Sequence, residues 1–165
     1  MLAANKGHAD IVKELLRFGA DINKKNNHQT TALLSASEWS FVNNPSNCFK
    51  CVQVLLSANG VDVDAMDDDG DTSLMISAHR GYTDIVALLL QHNPAVDMQG
   101  VLGPTAQEGR WRGFTALMYA AKCDHIDCVK ILLATGANRD LQDANGKTGT
   151  DLATSENVKM QLIKL

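Results

Sequence analysis

Six aspartates fall between Asp62 and Asp71, in the stretch VDVDAMDDDGDTSLM, around the single Gly70. Carboxylates at that density suit a hard cation such as calcium, which is bound by oxygen. A twelve-residue calcium loop places its glycine sixth and its bidentate carboxylate last. With Gly70 sixth, Asp67 and Asp69 take ligand places, but the first place is Ala65 and the last is Ile76. The loop lacks both, so it reads as a solvated acidic turn before a hydrophobic element. A second candidate chemistry is thiol-based. Cys48 and Cys51 form a CxxC, and Cys123, His125 and Cys128 lie close together; thiolates at such spacings serve zinc or redox work. No G-x-S-x-G, phosphate-binding loop or H-E-x-x-H is present. No carboxylate pair has a pocket assigned by the pattern, so catalysis is not expected.

Composition narrows the class. The 165 residues are 45% apolar, enough for one domain with a sizeable core, but only 5% aromatic, so leucine, valine and alanine must do most of the packing. The net charge is −4 and the longest basic run is Lys24-Lys25. Sequence-independent nucleic-acid binding needs several cations on one face and is not expected. No apolar run approaches the roughly 20 residues of a membrane helix, and the N-terminus has no signal-peptide pattern. Four unevenly spaced cysteines without such a signal point to a reducing interior, in the cytoplasm or the nucleus.

The elements that must position these residues repeat. GDTSLMISAHRGYTDIVALLLQHNPAVD from Gly70 and GFTALMYAAKCDHIDCVKILLATGANRD from Gly113 share one pattern. In both, an aliphatic pair or its equivalent begins thirteen residues after a threonine, Thr72 to Ile85 and Thr115 to Cys128. A helix-ending Asn93 or Gly136 lies twenty-one residues after it. TTALLSAS from Thr30 is a further copy that resumes at Cys51 after seven extra residues. LAANKGHADIVKELLRFGADIN lacks an opening, and GKTGTDLATSENVKMQLIKL runs out early. Leu74, Ser77 and Ala78 share a helix face, and small residues recur there as Ala3, Ala4, Ala36, Ala120 and Ala121. The second helix carries the bulk, as in Ile85, Val86, Leu88, Leu89 and Leu90.

This pattern resembles the ankyrin repeat, over nearly the whole chain and most specifically in GHADIVKELLRFGADIN. The resemblance implies an all-α solenoid of stacked helix-turn-helix units joined by β-turn or hairpin fingers. One domain spans residues 1–165: a partial repeat over 1–25, then 26–66 with an insertion at 38–50, 67–97, 110–142 after an inserted loop at 98–109, and a C-terminal cap at 143–165. Asp67 with Gly70, and Asp143 with Gly146, match the family's turn; Gln29 departs from it, and a looser turn is expected there. Cys51 and Cys128 take the place of Ile11 and Ile85, so they read as small buried hydrophobes two repeats apart, too far for one metal. Cys48 lies in the insertion, where a local redox pair with Cys51 stays open. The missing opening of the first copy suggests a fragment or an alternative start.

Proteins resembling ankyrin repeats act as non-catalytic protein-binding modules, through turn tips and exposed ends of first helices. On this chain that implies Trp111, Arg112 and Phe114 at an exposed tip, with Lys122 behind them. It adds Trp39 in the first insertion, His79 and Arg80, and the acidic tip Asp68, Asp69 and Asp71. Tryptophan and arginine are enriched among residues that carry binding energy. The expectation is a monomeric adaptor or scaffold that binds a protein partner, with no cofactor or metal, no nucleic acid and no membrane. The alternatives are an inhibitor that occludes an enzyme such as a kinase, and a targeting module of a larger multidomain enzyme.

Overall fold

The computed structural model describes residues 1–38, 45–100 and 111–163, and within them every regular element is a helix. In chain order these are α1 (Leu2–Asn5), α2 (Ala9–Arg17), α3 (Ala32–Glu38), α4 (Pro45–Leu56), α5 (Ser73–Arg80), α6 (Thr83–Leu90), α7 (Ala116–Lys122), α8 (Ile126–Ala134), α9 (Gly149–Leu152) and α10 (Glu156–Ile163). The odd-numbered helices stack on one another in one layer, the even-numbered in a second, and each pair packs across the layers. The core runs continuously between the layers. Ala4, Ala36, Ala78 and Ala121 are fully buried on the first helices, and Val52, Val86, Val129 and Leu132 on the second. No pair could bury its own faces, so each depends on its neighbours.

The local signals for this fold are threonines and aspartates. Thr72 and Thr115 are extended N-caps whose hydroxyls accept the amides of Met75 and Met118, and Thr148 forms a full capping box with Asp151. Before each cap lies a finger closed by two backbone bonds. Asp67 N–H donates to Asp71 O and Gly70 N–H to Asp67 O; the same pair links Asp143 with Lys147 and Gly146. Among the described residues one antiparallel bridge, Met66 to Thr72, spans the third repeat's finger. One ladder ties the fingers together. The side-chain oxygens of Asn23, Asp64 and Asp97 accept the amides of Asp62, Ala95 and Asn138, each in the following repeat.

Two expectations need revising. The Gln29 turn is not looser: Asn26 N–H donates to Thr30 O and Gln29 N–H to Asn26 O, as in the other fingers. Gln29 adopts φ +53° to keep that shape, a left-handed conformation costing about 1–2 kcal/mol for a residue with a Cβ. Gln29→Gly is therefore expected to raise stability by about 0.5–1 kcal/mol, after the extra freedom of glycine in the unfolded chain is subtracted. A urea midpoint unchanged or lowered would contradict this. The 38–50 insertion, read from the sequence only as an interruption of the second repeat, contributes its residues 45–50 to a helix. Its last residues extend the second helix, so that α4 begins at Pro45, one turn earlier relative to Cys51 than α6 begins relative to Ile85. Proline suits that first position because the amide it lacks would have no helical partner.

Candidate functional site

The fingers and the first helices that follow them carry the described candidate residues. Position by position, Asn26, Asp67 and Asp143 fill the first place of the finger and act alike. Each side-chain oxygen accepts two amides of its own turn: His28 and Thr30, Asp69 and Asp71, Asn145 and Lys147. The fourth repeat differs. There Gly100 N–H donates to Phe114 O and Gly113 N–H to Gly100 O, the same two bonds. Gly100 thus holds the place of Asp67, and the sequence carries ten more residues between it and Gly113 than between Asp67 and Gly70. Gly100 has no side chain to brace the turn. The Gln99 amide donates instead to Gly113 O (2.7 Å) and, across to the next finger, to Gln142 O (2.8 Å). Gly113 has φ +72°, and a Cβ there would sit 3.1 Å from the Ala144 amide nitrogen, so any other residue would be strained in its backbone and would push the fifth finger back by a few tenths of an ångström.

The six aspartates between Asp62 and Asp71 are used separately. Asp62 and Asp67 accept amides of their own turns, and Asp64 accepts from the next repeat. Asp68 lies 3.7 Å from the His28 ring. Asp71 turns inward, contrary to its expected place on an open acidic tip: both its oxygens accept from the Tyr119 hydroxyl, at 2.9 and 3.2 Å. Burial raises the Asp71 pKa to about 7, against the Tyr119 hydrogen bond, which lowers it; Asp67 and Asp69 add to the rise. Burial and the facing Asp71 together push the Tyr119 hydroxyl well above its usual range. Asp69 remains as the exposed carboxylate of the tip.

Phe114 is the second correction. It is 3% exposed, not displayed at the tip. Its place in the finger matches that of Asp71, and like Asp71 it points to Tyr119. The two rings lie 5.2 Å apart, edge to face, and Trp111 stands edge-on to Phe114 at 5.1 Å. Trp111 also meets His79 and Tyr119, at 5.8 and 5.7 Å. The result is an aromatic cluster spanning repeats three and four, with Phe114 as its floor and half-buried Trp111 and His79 at its surface. Burial, then Arg80 and His125, lowers the His79 pKa, favouring the neutral ring. Arg112, Lys122 and Arg80 are exposed around the cluster. Trp39 lies outside the described residues. Tyr119 is not among the residues that the sequence pattern singles out. The available signal is its occupation of a place held by Ile76 and Ser35 in the neighbouring copies.

The cysteines show no activated thiol. Cys48 and Cys51 are buried on α4, and burial raises both; that of Cys51 reaches about 11, with Cys48 adding to the rise. Cys128 is buried beside the Thr83 hydroxyl, 3.4 Å away. Among the described residues no group of three or more His, Cys, Asp or Glu is placed to hold a metal ion, and no helix is long and apolar enough to cross a membrane.

Stacked helix pairs, capped by threonine and joined by fingers that share a bonding pattern, define a repeat solenoid of the helix-turn-helix class. The comparisons give the family: a model described as ankyrin repeats (3 copies) matches residues 40–143 and 96–160, and one described as ankyrin repeat matches residues 1–27. The chain belongs to the ankyrin-repeat family. It is 33% identical over 88% of its length to the ankyrin repeat domain-containing protein SAT10 of Stachybotrys chartarum. It is 32% identical over 86% to neurogenic locus notch homolog protein 2 of Homo sapiens, and 28% over 99% to the ankyrin repeat and KH domain-containing protein mask-1 of Caenorhabditis elegans. It covers 6%, 5% and 6% of those relatives.

Proposed function

We propose that this chain is a non-catalytic module that binds a protein partner through its finger tips and first helices, with Trp111 as the central contact. The supporting observation is the surface around that ring. Trp111 is held in place by Phe114 and Tyr119 from beneath. Among the described residues the ion pairs are Arg17–Glu14, His28–Asp68 and Lys130–Asp127, so Arg80, Arg112, Lys122 and Asp69 are not charge-paired there. A fixed aromatic loses little conformational freedom when a partner docks, and unpaired cations beside it are available to that partner. A second reading is favoured by the relatives' far greater length: the module serves as the recognition part of a larger protein.

The test is capture of partners from lysate on the chain and on a Trp111→Ala, Arg112→Ala, Lys122→Ala variant. Phe114 is left intact because truncating it would open the core. The expected result is a partner retained by the former and lost by the latter, whose affinity for the purified chain falls at least tenfold with the variant. Equal affinity for both would remove this tip as the binding site.

A further inference from the structure

The same face carries an ordered charge pattern that specifies the partner's segment. In successive first helices, one equivalent position reads Glu38, His79, Lys122; in successive tips, one reads Asp69, Arg112. A groove of 590 Å³ between the first three repeats is lined by Glu38, Asp67, Asp68 and Asp69 with Asn26 and His28. The next groove along the face, 380 Å³, is lined by Trp111, Phe114, Lys122 and Lys147. That second groove also holds the buried carboxylate of Asp143, which accepts the Asn145 and Lys147 amides, so its lining carries two lysines against one carboxylate and is cationic on balance. Trp111 in the second groove stacks against His79 of the preceding first helix, so an aromatic surface borders that groove on the side of repeat three. Each groove is built from the same components, tips and first-helix ends, and the two lie in line along the stack.

Resting on the reading of this face as a partner-binding surface, we propose that its occupant is an extended segment of a partner protein with a cationic block at one end, an acidic block at the other, and an aromatic or apolar residue between. The cationic block lies over repeats two and three, the middle residue on Trp111, and the acidic block over repeats four and five. Adjacent helices stack about 8–10 Å apart, and an extended chain advances about 3.3 Å per residue. About three residues therefore pass each repeat, and the two blocks are centred roughly six residues apart. Opposite charges placed in register favour this order over others and repel segments of uniform charge.

Three labelled 12-residue peptides of one composition (four Lys, four Glu, one Trp, three Ala) test this by fluorescence anisotropy with the intact chain. One runs Lys block, Trp, Glu block; one runs in reverse; one alternates Lys and Glu. The expected result is that one block peptide binds at least tenfold tighter than the alternating peptide. That preference should disappear in a Glu38→Lys, Asp69→Lys variant, which alters only exposed side chains, and weaken at high salt. Equal binding of all three overturns the charge order. If that equal binding is still lost on Trp111→Ala, the partner-binding reading of the face stands. No binding by any peptide, beside a partner captured through the Trp111 tip, overturns the extended segment and leaves a folded surface as the occupant.

Discussion

Leu89→Ala is expected to lower the unfolding free energy by about 3 kcal/mol, while Leu15→Ala at the equivalent place lowers it by less than about 1 kcal/mol. Leu15, Leu55, Leu89 and Leu132 each lie four residues after Ile11, Cys51, Ile85 and Cys128. In the later repeats this leucine is at most 1% exposed, packed against the preceding helix pair. In the first it is 48% exposed, and Ile11 is 52% exposed beside it. Truncating Leu89 removes buried methyl groups from the middle of the stack and leaves a cavity that rigid neighbouring helices cannot close. It also weakens the coupling of the repeats on either side, so the urea transition is expected to broaden as well as shift. Truncating Leu15 removes area that water already reaches. Equal losses at the two sites would show that stability is not set by neighbour stacking.

Asp71→Asn is expected to stabilise the protein by up to about 4 kcal/mol at pH 8, roughly three pKa units at about 1.4 kcal/mol each, and to change little at pH 4. Burial raises the Asp71 pKa to about 7 in the folded protein, whereas an unfolded aspartate titrates near about 3.9. The folded state therefore holds a proton that the unfolded state releases. That stabilisation is complete below about pH 4, is lost as pH rises toward 7, and does not decline further above it. The charges facing the carboxylate are Asp67 and Asp69, and the Tyr119 hydroxyl is its donor. Asparagine keeps an acceptor for that hydroxyl without the charge. Denaturant titrations from pH 4 to 8 decide the matter: parallel stability curves for the two proteins would show that Asp71 titrates as it does in the unfolded chain.

Much of the architecture is legible in the sequence because its signals are local. Thr72 and Thr115 cap helices, Asp67 and Asp143 brace fingers, and Cys51, Ile85 and Cys128 at the start of the second helix's apolar run are buried. The proposed binding surface is only half legible. Trp111, Arg112 and Phe114 are neighbours in sequence, and adjacency suggests one exposed group. The finger's backbone instead sends Phe114 inward to the place Asp71 holds one repeat earlier. What draws Asp71 and Phe114 in is Tyr119, 48 residues from the former, and no local pattern announces such a bond. Gln29 misleads for the opposite reason. A residue without glycine's freedom suggests a different turn, but the neighbouring finger, through Asp68 N–H to His28 O, holds it in the common shape.

The fourth finger has a consequence for how this protein can be altered. Its ends are clamped by the Gly100–Phe114 and Gly113–Gly100 bonds and by the reach of Gln99, all outside residues 101–110. The bonds seen to hold this finger in register therefore belong to residues on either side of that stretch. Doubling its length costs only about 0.6 kcal/mol in closure entropy. Exchanging residues 101–110 for a new recognition sequence is thus expected to leave the Gln99, Gly100, Gly113 and Phe114 bonds in place, which would make this finger a cassette port beside the proposed contact.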